Sequence, residues 1–249
     1  EQAVSGGGLE VAADIEARGG YSLNVSACAA GSQAIGEASR AIGDGRADMI
    51  LAGGYDSMVN PLGLAGFALL EAMSTKNELE GAASRPFDKR RDGFVLGEGA
   101  AMLVLEERDQ ALARGATLLG ELRGYASTLD AFRVTDPAPD QRGAIAAMRG
   151  ALNDANLAPE DIGYVNAHGT GTRKNDPAET RALRAVFGAH LDRLPVSSTK
   201  SQVGHLIGAA GAVEAAATLL CLAAGFLPAT INLEQVDAEC LLDHVQGAP

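Results

Sequence analysis

Short apolar runs alternate along the chain with longer stretches in which apolar residues recur at helical spacing. Tyr21–Ser26 reads as a short strand, followed by a helix over Ala29–Ile42 that Gly43-Asp44-Gly45 ends. Asp48–Ala52 (DMILA) reads as a buried strand closed by Gly53-Gly54, and Pro61–Met73 as partly helical. Asn77–Asp92 is polar and charged, which predicts a surface loop. Ala100–Leu105 (AAMLVL) predicts another buried strand, Glu107–Arg114 a helix, Leu118–Tyr125 a strand and Ser127–Asp140 a loop.

The same alternation continues to the end. Gln141–Ala155 is an amphipathic helical pattern, and Ile162–Ala167 a strand running into a Gly/Thr-rich turn. Asp176-Pro177 predicts a helix start, Asp as cap and Pro at the first position, with the helix reaching Phe187. Leu194–Ser198 reads as a strand. Gly208–Leu222 is a helix apolar on every side, stopped by Gly225, and is expected inside the fold. Strands alternating with helices predict an α/β fold with a mostly parallel sheet covered on both faces. No linker, tandem repeat or low-complexity tract divides the chain.

Composition narrows the function classes. The chain has 249 residues, 47% of them hydrophobic, enough for a large core without disulfides. Its net charge of −12 argues against a phosphate-backbone partner, so nucleic acid is not expected. Three widely spaced cysteines make no disulfide framework, and without a CxxC pair zinc is not expected either. No run of eighteen apolar residues predicts a membrane span. No signal-peptide pattern is seen, so a cytoplasmic location is expected.

Four residues stand where such a fold places chemistry. Cys28, in NVSACAAGSQAIG, falls between a predicted strand and a predicted helix. The helix N-terminus would lower its thiol pKa, although position alone leaves nucleophile and buried filler equally open. His168, in YVNAHGTGT, lies where a strand runs into a turn, at the strand end that lines α/β crevices. Lys200 and His205, in SSTKSQVGHLIGAAGA, follow another strand, and the Lys200 ammonium would reach Glu214 if the loop folds back. A solvated Lys is the plain alternative. Cys221, in an apolar helix, and Cys240, in a tail segment, read as filler; His190 and His244 read as surface residues. The mixed-sign run Ser84–Gly99 reads as a solvated, salt-bridged loop and lacks a phosphate-cradling motif.

Together SACAAG, NAHGTGT and SSTKSQVGHLIGAAGAVE resemble the motifs of β-ketoacyl-acyl-carrier-protein synthases of the elongating type, both bacterial synthase II and polyketide ketosynthases. SRPFDKRRDGFVLGEGAAMLVLE and ATINLE are similar to the same family, and the likeness runs from about Tyr21 to His244. It implies a thiolase-like five-layered α/β/α/β/α sandwich, incomplete in this chain. Residues 1–249 would form a partial ketosynthase domain, with 1–125 in its N-terminal half and 126–249 in its C-terminal half. The implied partners are an acyl carrier protein, acyl and malonyl thioesters, and a second subunit, in a homodimer or a heterodimer with a ketosynthase-like chain. No cofactor or metal is implied.

The resemblance also assigns roles. Cys28 would take the acyl chain, and His168 and His205 would stabilise the enolate left when the malonyl group loses carbon dioxide. Lys200, with Glu214 as partner, would set the electrostatics of the site, and Asp176 would support the His168 loop. Phe67 would line the acyl pocket, and Thr135, Thr170 and Thr172 would meet the substrate arm. Glu71 departs from the basic residue that synthase II turns to its acidic carrier, and Arg173-Lys174 offers a substitute basic contact. Complete family members extend beyond both ends of this sequence, so the 208–222 helix is expected to lose cover and the isolated chain to be poorly active. A degradative thiolase would need a second, basic cysteine in a Cys-Gly setting. A non-catalytic chain-length subunit would lack Cys28, and a papain-like protease would not explain the Lys200–His205 segment.

Overall fold

Two turn–helix units of one design meet at the centre of the molecule, which the computed structural model describes over residues 2–133 and 136–247. Ahead of the first unit lies helix α1 (Gln2–Asp14). A 3₁₀ turn, Ala27–Ala29, then feeds α2 (Ala30–Gly43). The chain continues through β1 (Met49–Asp56), α3 (Pro61–Ala68), β2 (Gly99–Glu106) and α4 (Arg108–Ala113). After a long irregular segment come α5 (Arg142–Ala155), β3 (Val165–Asn166), α6 (Asn175–Phe187), β4 (Pro195–Ser197) and α7 (Lys200–Val203). The second unit, a 3₁₀ turn at Ile207–Ala209 feeding α8 (Ala210–Ala224), precedes β5 (Asp243–His244).

The units match in their backbone. Each turn opens on a non-glycine residue at positive φ, Ala27 at 49° and Ile207 at 44°. This left-handed conformation is costly, most of all for a β-branched residue. Gly31 lets the helices close: a Cβ there would stand 2.8 Å from the Ala212 amide nitrogen. Gly54 does the same for β1, where a Cβ would stand 2.7 Å from the Gly208 carbonyl oxygen. Gly53-Gly54 therefore continues the strand to Asp56 rather than closing it at Ala52.

The sheets differ from the expected single parallel one. β1 and β2 pair antiparallel, from Met49 opposite Glu106 to Asp56 opposite Gly99. Residues 57–98 between them do not cross a sheet face as a long helix. They run instead into the second half, where Gly93 N–H donates to Gly171 O and Gly97 N–H to His205 O. β2 therefore returns against β1. β3, β4 and β5 form the parallel sheet, with Val165 opposite Val196 and Val196 opposite His244.

The Tyr21–Ser26 and Leu118–Tyr125 segments find no strand partner among the described residues. Tyr125 N–H, for example, donates to the Asp154 carboxylate. The strand expected over Ile162–Ala167 pairs only at Val165–Asn166.

The main core lies under the parallel sheet, where Phe87, Leu183, Leu191, Leu194 and Val196 are fully buried. A smaller core of Ile35, Ala38, Ala52 and Ala212 joins α2, β1 and α8. α8 is only partly covered: Ala210, Ala212 and Cys221 are buried, whereas Leu220 and Leu222 are 62% and 68% exposed. The window Ile207–Ala224 is long and apolar enough to cross a membrane by length and composition. It nevertheless carries Glu214, paired with Lys200, and packs on α2, β1 and β2 as a core helix does.

The Asn77–Asp92 surface loop is also corrected. Residues 77–82 form a 3₁₀ turn, but Ser84, Arg85, Phe87, Asp88 and Arg91 are buried. Asp88 accepts backbone N–H groups from Arg90, Glu234 and Gln235 and lies 3.8 Å from Arg85. Arg91 reaches Asp237 at 2.6 Å and Asp176 at 3.6 Å. Asp88 and Arg91 are buried because partners from the distant second half meet them, and Arg85 because Asp88 and the Ala82 carbonyl do.

Candidate active site

Cys28 lies in the 3₁₀ turn at the mouth of α2, held there by the strained backbone of Ala27. The matching turn of the second unit stands opposite, with His205 just ahead of it. His205 Nε2 is 3.0 Å from Cys28 Sγ. The His205 backbone is clamped by Val95 and Gly97 on both sides: its N–H donates to Val95 O, and its O accepts from Gly97 N–H.

The Ile207 N–H donates to His205 Nδ1 at 3.2 Å. A neutral imidazole that accepts at Nδ1 carries its proton on Nε2, so the ring presents an N–H donor to the sulfur. This bears on metal binding. Cys28, His168 and His205 offer ligand atoms within 4.8 Å of one another. A histidine that ligates through Nε2 needs its proton on Nδ1 and an acceptor there. Here a donor occupies that place, so His205 is set to donate from Nε2 rather than to ligate through it.

His168 follows β3. Its ring stands edge-on to His205, with centroids 5.3 Å apart at 86°. The turn that carries it is held by two carboxylates of α6. Glu179 accepts the N–H groups of His168 and Gly169 at 2.7 and 2.8 Å. Asp176, fully buried, accepts from Gly171 N–H and Phe87 N–H. Asp176 lies in the first turn of α6 behind Lys174 and Asn175 rather than capping it, because its oxygens face the glycine turn. Thr170 and Thr172 share a hydroxyl hydrogen bond at 3.0 Å on this turn.

Lys200 is 1% exposed and forms an ion pair with Glu214 on α8, the contact expected from the sequence. The Ser84 hydroxyl donates to the Lys200 carbonyl oxygen and ties the charged run to the site.

The electrostatics favour neutral imidazoles. Burial first, and then the Lys200 charge, lowers His205 to about 3 and pushes His168 well below its usual value. Burial raises Glu214 against the pull of Lys200. The Cys28 thiol is raised, not lowered as the sequence suggested: loss of water around it outweighs the Lys200 charge and its own N–H.

Other candidates fall into place around this centre. Phe67 on α3 meets Phe94 edge-on at 5.9 Å, and Phe94 meets His205 at 5.2 Å, so Phe67 joins the site through one aromatic ring. Thr135 lies outside the described residues. Glu71 is exposed at the end of the α3 segment. Cys221 and Cys240 are buried filler, as expected. His190 and His244 are half-buried rather than free on the surface: His190 Nε2 meets Ile162 O, and the His244 ring packs 5.0 Å from Phe87.

Sequence reasoning missed Glu179, Phe94, Arg91 and Asp56. Asp56 accepts from Gly208 N–H at 3.0 Å and steadies the second turn. Arg91 donates to Thr172 O. Glu179 carried a legible signal, an acidic side chain near a helix N-terminus directly after a glycine turn.

A cysteine and two neutral histidines thus converge on one point, and the turns that carry the histidines are backed by the carboxylates of Glu179, Asp176 and Asp56. Residues 6–111 match the family described as "Beta-ketoacyl synthase, N-terminal domain", and residues 119–234 match "Beta-ketoacyl synthase, C-terminal domain". The chain belongs to the β-ketoacyl synthase family. It is 50% identical over 236 residues to a 3-oxoacyl-[acyl-carrier-protein] synthase 2 of Synechocystis, covering 95% of this chain and 57% of that protein. It is 45% identical to the actinorhodin polyketide putative β-ketoacyl synthase 1 of Streptomyces coelicolor, covering 95% and 50%.

Among solved structures, the ketosynthase of the AntDE:AntF complex, a type II polyketide system with its acyl-carrier protein, matches at a TM-score of 0.94 and 38% identity. That match covers 97% of this chain and 59% of the other. A β-ketoacyl synthase from Burkholderia phymatum matches at 0.85 and 44%, covering 90% and 54%. The chain thus has the thiolase-like ketosynthase fold, incomplete as expected, and spans about half the length of the curated relatives it matches.

Proposed function

We propose that the protein to which this chain belongs catalyses decarboxylative Claisen condensation, joining an acyl thioester to a malonyl thioester on an acyl carrier protein. Cys28 Sγ attacks the acyl carbonyl, and the donor's thiolate leaves with the thiol proton. The malonyl thioester then loses carbon dioxide, and the electron pair of the broken bond moves into an enolate. The enolate carbon attacks the acyl-Cys28 carbonyl, and Cys28 leaves as thiolate. The product is a 3-ketoacyl thioester two carbons longer, as fatty-acid or polyketide elongation requires.

The observation that carries this reading is the His205 Nε2–H aimed at Cys28 Sγ, with Nδ1 held by Ile207 N–H. A fixed neutral donor stabilises an oxyanion without reorganising, and His168 beside it supplies a second imidazole. Lys200, paired with Glu214, adds positive potential without acting as a base. Phe67, Thr135, Thr170 and Thr172 would receive the acyl chain and substrate arm, and Asp176 would hold the loop. The same proposal includes the two halves at 1–125 and 126–249, self-association or pairing with a ketosynthase-like subunit, and a cytoplasmic site of action. A relative solved as a ketosynthase/chain length factor supports the paired form.

The test is intact-mass spectrometry after exposure to an acyl-carrier thioester, with Cys28→Ala as control. An acyl adduct confined to Cys28, with malonyl decarboxylation that falls in His168→Ala and His205→Ala, is expected. An adduct that persists in Cys28→Ala would overturn the assignment.

A further inference from the structure

Asp56 is the last residue of β1, and its Oδ2 accepts the N–H of Gly208, 152 residues further along the chain, at 3.0 Å. Gly208 lies in the 3₁₀ turn that opens the second unit, directly after Ile207. β1 holds this residue closely. A Cβ on Gly208 would stand 3.1 Å from Asp56 Oδ2, and one on Gly54 would stand 2.7 Å from Gly208 O. In the first unit the matching position, one residue past the positive φ of Ala27, is Cys28. There the N–H faces the cysteine's own sulfur, whereas in the second unit a carboxylate meets it.

Two successive N–H groups leave this turn in fixed directions, Ile207 N–H to His205 Nδ1 and Gly208 N–H to Asp56. Only the φ and ψ of Ile207 separate them, and that φ is 44°, where a β-branched residue stays only if its surroundings hold it. On one side Val95 O and Gly97 N–H clamp the His205 backbone. On the other side the Gly208 N–H is held by Asp56. If Asp56 lets go, Ile207 is free to turn toward negative φ, and its N–H swings away from His205 Nδ1. The neutral imidazole then has an open choice of tautomer, and with its proton on Nδ1 it accepts at Nε2 from the Cys28 thiol instead of donating.

We propose that Asp56 is a positioning residue for the condensation: by holding Gly208 N–H it keeps Ile207 in its left-handed conformation and thereby keeps the His205 proton on Nε2. The consequence for catalysis rests on the proposed function; the effect on the imidazole does not. Two other effects of Asp56 have to be separated from this one. A carboxylate at the mouth of α8 suits the positive end of that helix, which stabilises the fold without reaching His205. The same charge also raises the Cys28 thiol.

The experiment labels the full-length protein with ¹⁵N-histidine and reads the two ring nitrogens of His205, assigned by their loss in His205→Gln, in Asp56→Asn and Asp56→Ala. Both variants remove the charge from the helix end and from the thiol, but Asp56→Asn keeps an oxygen for Gly208 N–H. The proton is expected on Nε2 in the parent and in Asp56→Asn, and shared with Nδ1 in Asp56→Ala. Malonyl decarboxylation is expected to fall about tenfold in Asp56→Ala and to stay close to the parent in Asp56→Asn. Asp56→Ser, whose side chain falls short of Gly208 N–H, repeats the comparison if Asp56→Ala does not fold. A proton on the same nitrogen in the parent and in Asp56→Ala overturns the proposal. So does a loss in Asp56→Asn as large as that in Asp56→Ala, because the charge and not the hydrogen bond would then be responsible. If the parent does not decarboxylate a malonyl thioester, the functional reading fails, and the histidine spectrum still decides whether Asp56 sets the tautomer.

Discussion

Ile207 N–H donates to His205 Nδ1 at 3.2 Å from a backbone held at φ 44°, and this single bond decides which face of the imidazole carries its proton. The opposite nitrogen, 3.0 Å from Cys28 Sγ, must be the donor. Replacing His205 with Gln places an amide NH₂ near the Nε2 position, whereas Ala places nothing there. Malonyl decarboxylation should fall about 100- to 1,000-fold in His205→Ala and markedly less in His205→Gln. Equal losses in the two variants, measured as carbon dioxide release, would show that N–H donation is not what His205 supplies.

The same ring gives a pH signature. Its pKa lies near 3 in the folded protein against 6.5 ordinarily. Unfolded His205 therefore binds a proton between about pH 6.5 and 3 while the folded form does not. The stabilisation from this group is complete above about pH 6.5 and is lost as the pH falls toward 3. His168 and His244, also lowered, act in the same direction. Asp176, raised to about 6 from 3.8, acts oppositely: ionising it in the fold costs stability as the pH rises through that window. Urea denaturation between pH 4 and 7 should show parent stability rising more steeply with pH than that of His205→Gln. Coincident slopes would contradict the buried neutral ring.

What could be read from sequence divides by range of interaction. Cys28, His168, Lys200 and His205 stand in short glycine-, alanine- and threonine-rich settings, and the turns they predict do bring these four together. The limits of α2, α5 and α8 followed from apolar spacing and glycine stops, within a residue or two. The misreadings share one cause. Asp88 and Arg91 look solvated because their partners Asp176, Glu234, Gln235 and Asp237 lie 85 or more residues away in the chain. The antiparallel pairing of β1 and β2 depends on where residues 57–98 travel, and no local pattern records that path. The thiol of Cys28 seemed lowered because a helix start is visible in sequence and the burial that outweighs it is not.

The Lys200–Glu214 pair is nearly enclosed, with side chains 2% and 18% exposed. Lys200→Met would leave the Glu214 carboxylate without its partner, at a cost of about 3–5 kcal/mol in stability. Lys200→Met/Glu214→Gln should recover most of that loss, because no uncompensated charge remains. Both variants lack the cation that lowers the Cys28 thiol, so alkylation of Cys28 should shift to higher pH in each. Denaturation at pH 7 and an iodoacetamide pH profile separate the two effects. A double variant as unstable as the single one would show that the pair acts through packing rather than charge.

Glu179 offers the sharpest separation of positioning from chemistry. Its two oxygens each accept one backbone N–H of the His168 turn, at 2.7 and 2.8 Å, and one also accepts from Asn175 Nδ2 at 3.2 Å. Glu179→Gln keeps the size but turns an NH₂ toward one of those backbone donors, leaving an N–H unsatisfied at a cost of about 1–3 kcal/mol. The turn must shift to relieve that, and the His168 ring shifts with it, while Cys28 and His205 keep their own supports in the 3₁₀ turns. Decarboxylation should therefore fall about tenfold or more in Glu179→Gln, with acylation of Cys28 by a small thioester far less affected. If both half-reactions fall together, Glu179 holds the whole site rather than the His168 turn alone.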